Sequence, residues 1–300
     1  KSKVSSDPIS NSAMDGIEFL NEYVVIIPHT SLRSFAKVQG TLAHAELSFS
    51  SEDIKQIIAK PMEQYRQCYN EHLQSDVTLI GDINHHIASH AGKELRPMLV
   101  LLSAGEQINE NTIRLAAAVE MLHNASLMHD DVVDCSDTRR GQPAVNNAWN
   151  NAIAVLCGDY YLARVMEIVS EIGDEESSKI INRTVVTMAQ GELLQLSKHP
   201  CDYYNVIYRK TASLMEACCE LGCRKMKEFG RHFGMAFQLR DDWMDYEEEP
   251  SASKPSREEL KIKMNEEMTL AQQCLNAQPT TPFVEALMNL TEAMYISKNE

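Results

Sequence analysis

Residues 116–134 read Ala116-Ala117-Ala118-Val119-Glu120-Met121-Leu122-His123-Asn124-Ala125-Ser126-Leu127-Met128-His129-Asp130-Asp131-Val132-Val133-Asp134, an apolar run that ends in three aspartates. On a helix Asp130 and Asp134 are four residues apart, and Asp131 and Asp134 three apart, so one face presents a row of carboxylates. The stretch before them is too apolar for a solvated helix. It reads as a helix buried among others that delivers its acids to a sheltered place. Two unit charges about 4 Å apart at an effective dielectric near 20 repel by roughly 4 kcal/mol. A sheltered site keeps them when divalent cations compensate the charge, and oxygen-only ligands point to Mg²⁺. A second copy, Asp241-Asp242-Trp243-Met244-Asp245, follows the apolar Phe233–Leu239. The two motifs use six of the fifteen aspartates, a clustering that argues against an accidental solvated acidic patch.

Around these motifs, helical periodicity dominates. Leu99–Ala104, Ile113–Met128, Ile153–Ile168, Ile180–Leu196, Thr211–Leu221 and Phe229–Met244 carry apolar residues at three- and four-residue spacing. With 12 Gly, 10 Pro and no Ser/Gly-rich linker, the pattern predicts an all-α chain without an internal boundary. Several runs are apolar nearly all round, as expected for central helices of a large bundle. Residues 1–50 differ: they open polar, contain Val24-Val25-Ile26-Ile27-Pro28, and carry none of the chemistry, so they form an unassigned N-terminal extension. Ser50-Ser51-Glu52-Asp53 reads as the cap and first turn of the first core helix, placing the main domain at 51–300.

A net charge of −15 argues against a nucleic-acid partner and a generally basic membrane-binding surface. Any anionic substrate must then meet a local basic cluster. No signal-peptide pattern and no run of ~18–20 apolar residues is visible, so stable membrane insertion is not expected. The eight cysteines, including Cys218-Cys219 and Cys223, lack paired zinc spacing and fit reduced thiols in a cytoplasmic protein.

Gly92-Lys93-Glu94-Leu95-Arg96-Pro97 sets a lysine and an arginine three residues apart, a point charge and a planar fork that together suit a diphosphate. Arg139-Arg140-Gly141 lies just beyond the first motif, where a loop would turn both guanidinium groups back toward phosphate, and Lys210-Thr211 adds a cation and a hydroxyl. His85, His86 and His90 lie in a polar stretch and read as exposed. His123 stands seven residues before Asp130 on nearly the same helical face, either a ligand contact or a satisfied core histidine. No nucleophile elbow, P-loop or dinucleotide fingerprint is present. The chemistry that remains is metal-assisted departure of a phosphate-type leaving group.

In order and spacing, these motifs resemble the trans-isoprenyl diphosphate synthases, specifically the medium- and long-chain polyprenyl diphosphate synthases. The resemblance runs from about Ser51 through Tyr246 and includes Gln238-x-x-Asp241-Asp242. It implies an isoprenoid-synthase-type bundle of about ten or more helices around a central cavity, a homodimer, and Mg²⁺-dependent condensation of isopentenyl diphosphate onto an allylic diphosphate primer. Lys93, Arg96, His123 and Arg140 match residues that hold isopentenyl diphosphate; Arg139, Lys210, Thr211 and Gln238 match contacts to the allylic diphosphate. Asp130, Asp134 and Asp241 match direct metal ligands, while Asp131, Asp242 and Asp245 match residues that orient water or ligands around the metal. Large aromatic side chains close the tunnel of short-chain members at the positions of Ala125 and Ser126. Their small size here implies a heptaprenyl or longer product, with Met121, Leu122 and Met188 as candidates for a deeper floor.

Two departures stand out. The family's late lysine segment after the second motif has no clear counterpart beyond Tyr246-Glu247-Glu248-Glu249-Pro250, and Gly222-Cys223-Arg224-Lys225 shortens a loop, as if mobile segments or true deletions lay there. The alternatives are a short-chain farnesyl or geranylgeranyl diphosphate synthase, a class I terpene cyclase, which needs no second diphosphate pocket, and a non-catalytic regulatory subunit, which would be expected to lose motif residues.

Overall fold

The computed structural model describes residues 51–89, 92–197, 201–246 and 254–294. The readings made above for residues 1–50, His90 and Glu247–Pro250 lie outside the described residues. In chain order the helices are α1 (Ser51–His72), α2 (Thr78–Ala88), α3 (Leu95–Ala104), α4 (Glu110–Val133), α5 (Val145–Ala148) and α6 (Asn151–Ile172). They continue as α7 (Glu175–Leu196), α8 (Tyr203–Ile207), α9 (Ser213–Gly222), α10 (Lys227–Met244), α11 (Arg257–Asn276) and α12 (Pro282–Glu292). A two-residue antiparallel hairpin, β1 (Thr138–Arg139) with β2 (Gln142–Pro143), is the departure from an all-helical chain among the described residues.

Helix α4 begins at a capping box: the Asn109 side chain accepts from the Thr112 N–H at 3.2 Å, and the Thr112 hydroxyl accepts from the Asn109 N–H. Its Ala116, Ala117 and Ala118 have no exposed surface. Small side chains let neighbouring backbones approach closely, and α6 packs along α4 with α1 and α3 on its other sides. Helix α3 is a central element. Leu99, Val100, Leu101 and Leu102 are at most 1% exposed, and α3 touches α1, α4, α9 and α12. Pro97 is tolerated in its first turn because the N–H it lacks would have no intrahelical acceptor there.

The expected helix from Thr211 starts differently. Tyr208–Ala212 form a π-helical turn that runs into α9, widening the chain where Lys210 and Thr211 stand. This turn lies against Gly191 of α7, where an added Cβ would fall 2.8 Å from the Arg209 Cβ and 3.0 Å from the Lys210 backbone nitrogen. The short connection at Cys223 is complete: α9 passes through the 3₁₀ turn Arg224–Met226 directly into α10, with the Cys223 N–H donating to Cys219 O and the Met226 N–H to Cys223 O. All eight cysteines are free thiols.

Candidate active site

Each aspartate motif closes a long helix. Asp134 is the C-cap of α4 and Asp245 the C-cap of α10. A helix C-terminus carries the negative end of the macrodipole, so acids there are unfavourable by some tenths of a kcal/mol each before they meet one another. Burial, then the neighbouring Glu192, push the Asp130 carboxyl up to about 6 against the pull of Lys210. Burial also pushes Asp241 up to about 6; Arg240 opposes it, and Asp245 and Asp242 add to it.

The middle aspartates are fixed to the protein. Asp131 is buried and accepts from Arg139 Nε at 3.0 Å and from its Nη2, while Asn146 Nδ2 donates to the Asp131 and Ser136 carbonyls at 3.1 and 3.0 Å. Asp242 accepts the Tyr203 hydroxyl on one oxygen and Gln238 Nε2 on the other at 3.2 Å, with Lys254 Nζ 3.9 Å from the second oxygen. Thr211 in turn donates to Gln238 Oε1 at 2.7 Å. No three His, Cys, Asp or Glu side chains among the described residues form a closed metal cage. Asp130 with Asp134, and Asp241 with Asp245, offer hard oxygen donors on two separate helix ends. That set fits a divalent cation that keeps water and takes its remaining oxygens from a bound phosphate.

The basic groups gather at the start of α3. Glu94 adopts a left-handed N-cap conformation with φ 50° and is held by Arg66, Nη2 at 2.6 Å and Nε at 3.0 Å. This clamp orients the turn that carries Lys93 and Arg96. The Arg96 Nε is buried without a hydrogen-bond partner among the described residues. The strongest opposing charge on Arg96 is Glu120, whose carboxyl burial pushes up to about 7. Arg140 stands at φ 52° in the hairpin turn, and its guanidinium occupies the space a Cβ on Gly92 would take. Burial, then Arg96, Arg140 and Arg139, pull the His123 imidazole well below its usual range, so it is neutral at pH 7. Lys93 acts electrostatically on Asp241, and Asp241 on Arg96, so the acidic and basic halves border one space.

His123, Arg96 and Arg140 are thus brought together, Lys210, Thr211 and Gln238 form a second group, and Arg139, tied to Asp131, acts on both His123 and Asp130. In this state Lys210 is bound to Glu192 and Gln195, each at 2.8 Å, and Arg139 to Asp131. Ser126 is partly exposed, its hydroxyl donating to His123 O at 2.8 Å, whereas Ala125 has no exposed surface. His85 is exposed as expected; His86 is half-buried, bonded to Pro143 O at 2.9 Å and edge-on to Trp149. Three residues escape sequence reasoning. Glu192 lies on an amphipathic helix whose aim at Asp130 is a tertiary fact, and Tyr203 sits outside any acidic or basic motif. Lys254, its side chain 7% exposed, returns to Asp242 from beyond the second motif, in a stretch whose sequence carries no clear lysine motif.

The family model described as Polyprenyl synthetase matches residues 77–264. The octaprenyl diphosphate synthase of Escherichia coli (strain K12) is 37% identical over 214 residues, covering 65% of this chain and 66% of that protein. The chain therefore spans about two thirds of that relative's length. The crystal structure of a decaprenyl diphosphate synthase from Rhodobacter capsulatus superposes with a TM-score of 0.75 at 26% identity, covering 81% of this chain and 98% of the other. That of a polyprenyl synthase from Caulobacter crescentus CB15, complexed with calcium and isoprenyl diphosphate, does so with a TM-score of 0.74 at 25% identity, covering 81% and 96%.

A carboxyl raised from 3.8 to about 6 binds its proton more tightly folded than unfolded. Its contribution to stability is fully present below the unfolded pKa and is lost as pH rises through about 6. Asp130→Asn should therefore stabilise the metal-free protein at pH 8, by on the order of 1 kcal/mol after allowance for partial exposure. The gain should vanish near pH 4, and Mg²⁺ should stabilise the wild type more than the variant. Melting curves at the two pH values, with and without Mg²⁺, check this; equal melting of both proteins at pH 8 would contradict it.

Proposed function

The chain belongs to the polyprenyl synthetase family, and on that premise we propose that it is a prenyltransferase joining isopentenyl diphosphate head-to-tail to an allylic diphosphate primer. The product is a trans-polyprenyl diphosphate of heptaprenyl length or longer. The observation that carries this reading is the pairing of two acidic helix ends, closed by Asp134 and Asp245, with a basic cluster of Arg96 and Arg140 beside His123. One diphosphate with metal suits the first arrangement, and a second diphosphate without metal suits the other. A terpene cyclase has no use for the second.

Asp130, Asp134, Asp241 and Asp245, with Asp131 behind them, would hold Mg²⁺, which supplies charge neutralisation to the departing allylic diphosphate. Arg139, Lys210, Thr211 and Gln238 bind that diphosphate; Lys210 exchanges Glu192 for a phosphate oxygen as it does so. Lys93, Arg96 and Arg140 bind isopentenyl diphosphate. His123, kept uncharged, donates an N–H to it without adding another positive charge to a crowded cluster. With both substrates fixed, the allylic C–O bond breaks with its electron pair leaving on diphosphate. The double bond of isopentenyl diphosphate attacks the resulting carbocation, and the released diphosphate accepts the proton then lost. Fixed charges and positioned partners supply the rate, and no covalent enzyme intermediate is formed.

The names of the octaprenyl and decaprenyl relatives support the long product, as do the small Ala125 and Ser126. The calcium in the Caulobacter structure supports a divalent cation, and the oxygen-only donors favour Mg²⁺. The domain is proposed as residues 51–300, preceded by the extension 1–50. A homodimer fits the apolar side chains left outside on α6 and α7: Leu156, Met166, Val186, Leu193 and Leu196 are each more than half exposed. No helix among the described residues is long and apolar enough to cross a membrane, and the free thiols favour a cytoplasmic location.

Lys93→Ala should raise KM for isopentenyl diphosphate by about tenfold or more, the worth of a hydrogen bond to a charged group, with a smaller effect on the primer. Steady-state kinetics varying each substrate in turn check this, and equal weakening of both would undo the two-pocket division. Ser126→Phe should shorten the product to about three or four isoprene units, since Ser126 lies roughly 6 Å below Asp130 along the helix and added volume there is not cheaply absorbed. Ala125→Phe should act in the same direction but at greater cost in stability, because Ala125 has no exposed surface. Chromatographic sizing of the products decides, and wild-type length from both variants would remove the basis for the length assignment.

A further inference from the structure

We propose that Tyr203 is a positioning residue that acts through Asp242 and makes the primer-binding turn and the second metal-binding aspartate group a single unit. This deepens the synthase reading and rests on it. Helix α8 starts at Tyr203, capped by Asp202, and continues without a break into the π-helical turn that carries Lys210 and Thr211. From one end of this segment Tyr203 donates its hydroxyl to Asp242 Oδ2. From the other, Thr211 donates to Gln238 Oε1 at 2.7 Å, and Gln238 Nε2 donates to Asp242 Oδ1 at 3.2 Å. Main chain and side chains thereby close a ring from Tyr203 through Thr211, Gln238 and Asp242 back to Tyr203.

Both oxygens of Asp242 are engaged in that ring, so its carboxylate has one orientation. Asp242 sits in the last turn of α10, next to Asp241 and three residues before Asp245. Holding it fixes the direction in which that turn presents its two neighbours to a cation. Partners standing behind metal-facing groups tune metal affinity in this way. The hydroxyl is separable from the packing: the Tyr203 ring lies edge-on to Tyr204 with centroids 5.3 Å apart, a contact a phenylalanine would keep. If the hydroxyl served stability alone, removing it would lower the melting temperature and leave metal binding unchanged.

Tyr203→Phe should therefore weaken Mn²⁺ binding in the presence of inorganic diphosphate by about tenfold, measured by electron paramagnetic resonance. It should raise the Mg²⁺ concentration needed for half-maximal turnover in step, while KM for isopentenyl diphosphate stays unchanged. In an Asp242→Asn background the same change should add nothing, because its route runs through that carboxylate. If Tyr203→Phe does not fold, Gln238→Leu breaks the ring at its other side and should show the same loss of Mn²⁺ affinity. Wild-type Mn²⁺ binding in a folded Tyr203→Phe protein, full additivity with Asp242→Asn, or unaltered binding in Gln238→Leu would overturn the proposal. A wild-type protein that binds Mn²⁺ and diphosphate but incorporates no isopentenyl diphosphate would sink the synthase reading instead.

Discussion

Repulsion between carboxylates held at the C-terminal ends of two buried helices is the constraint around which the rest of the molecule is arranged. Asp130 and Asp134 end α4, and Asp241 and Asp245 end α10, on the wrong pole of each helix dipole. A fold selected for stability alone would place lysines there. The cost is contained by fixing the middle aspartate of each motif to the protein, Asp131 through Arg139 and Asp242 through Tyr203 and Gln238. The outer ones remain available, and at Asp130 and Asp241 burial first, with neighbouring acids adding to it, raises the carboxyl.

The opposite charge is kept apart by α3. Its N-terminal turn, clamped through Glu94 and Arg66, carries Lys93 and Arg96, while its apolar body packs against α4 and α9. A rigid, fully buried helix therefore sets where the basic cluster stands relative to the first acidic end. Between the two charges, Lys210 is shared by Glu192 and the field of Asp130, a cation held in reserve on a widened π turn that Gly191 allows to approach. His123 completes the balance by staying neutral among three arginines.

Much of this was legible in the sequence because it is local. Helix periodicity, the apolar approach to each acidic row, and the Lys93/Arg96 spacing are properties of a few consecutive residues, and the helices they predict are present. The π turn at Tyr208–Ala212 was not legible, since it packs closely on Gly191 of another helix, a contact that no local pattern reveals. Nor were Glu192, Tyr203 and Lys254, whose roles exist only once α7, α8 and the segment after α10 are folded against the aspartates. Ala125 and Ser126, adjacent in sequence and read alike, are separated by a single helical step into one enclosed and one accessible position.

The most direct test of the account is incubation of the protein with labelled isopentenyl diphosphate, an allylic diphosphate primer and Mg²⁺, followed by sizing of the labelled products with and without a chelator. The account predicts chelator-sensitive incorporation into a ladder ending at heptaprenyl or longer, and none when the primer is omitted. Conversion of the primer alone to a cyclic hydrocarbon, or no incorporation with any allylic primer, would contradict it.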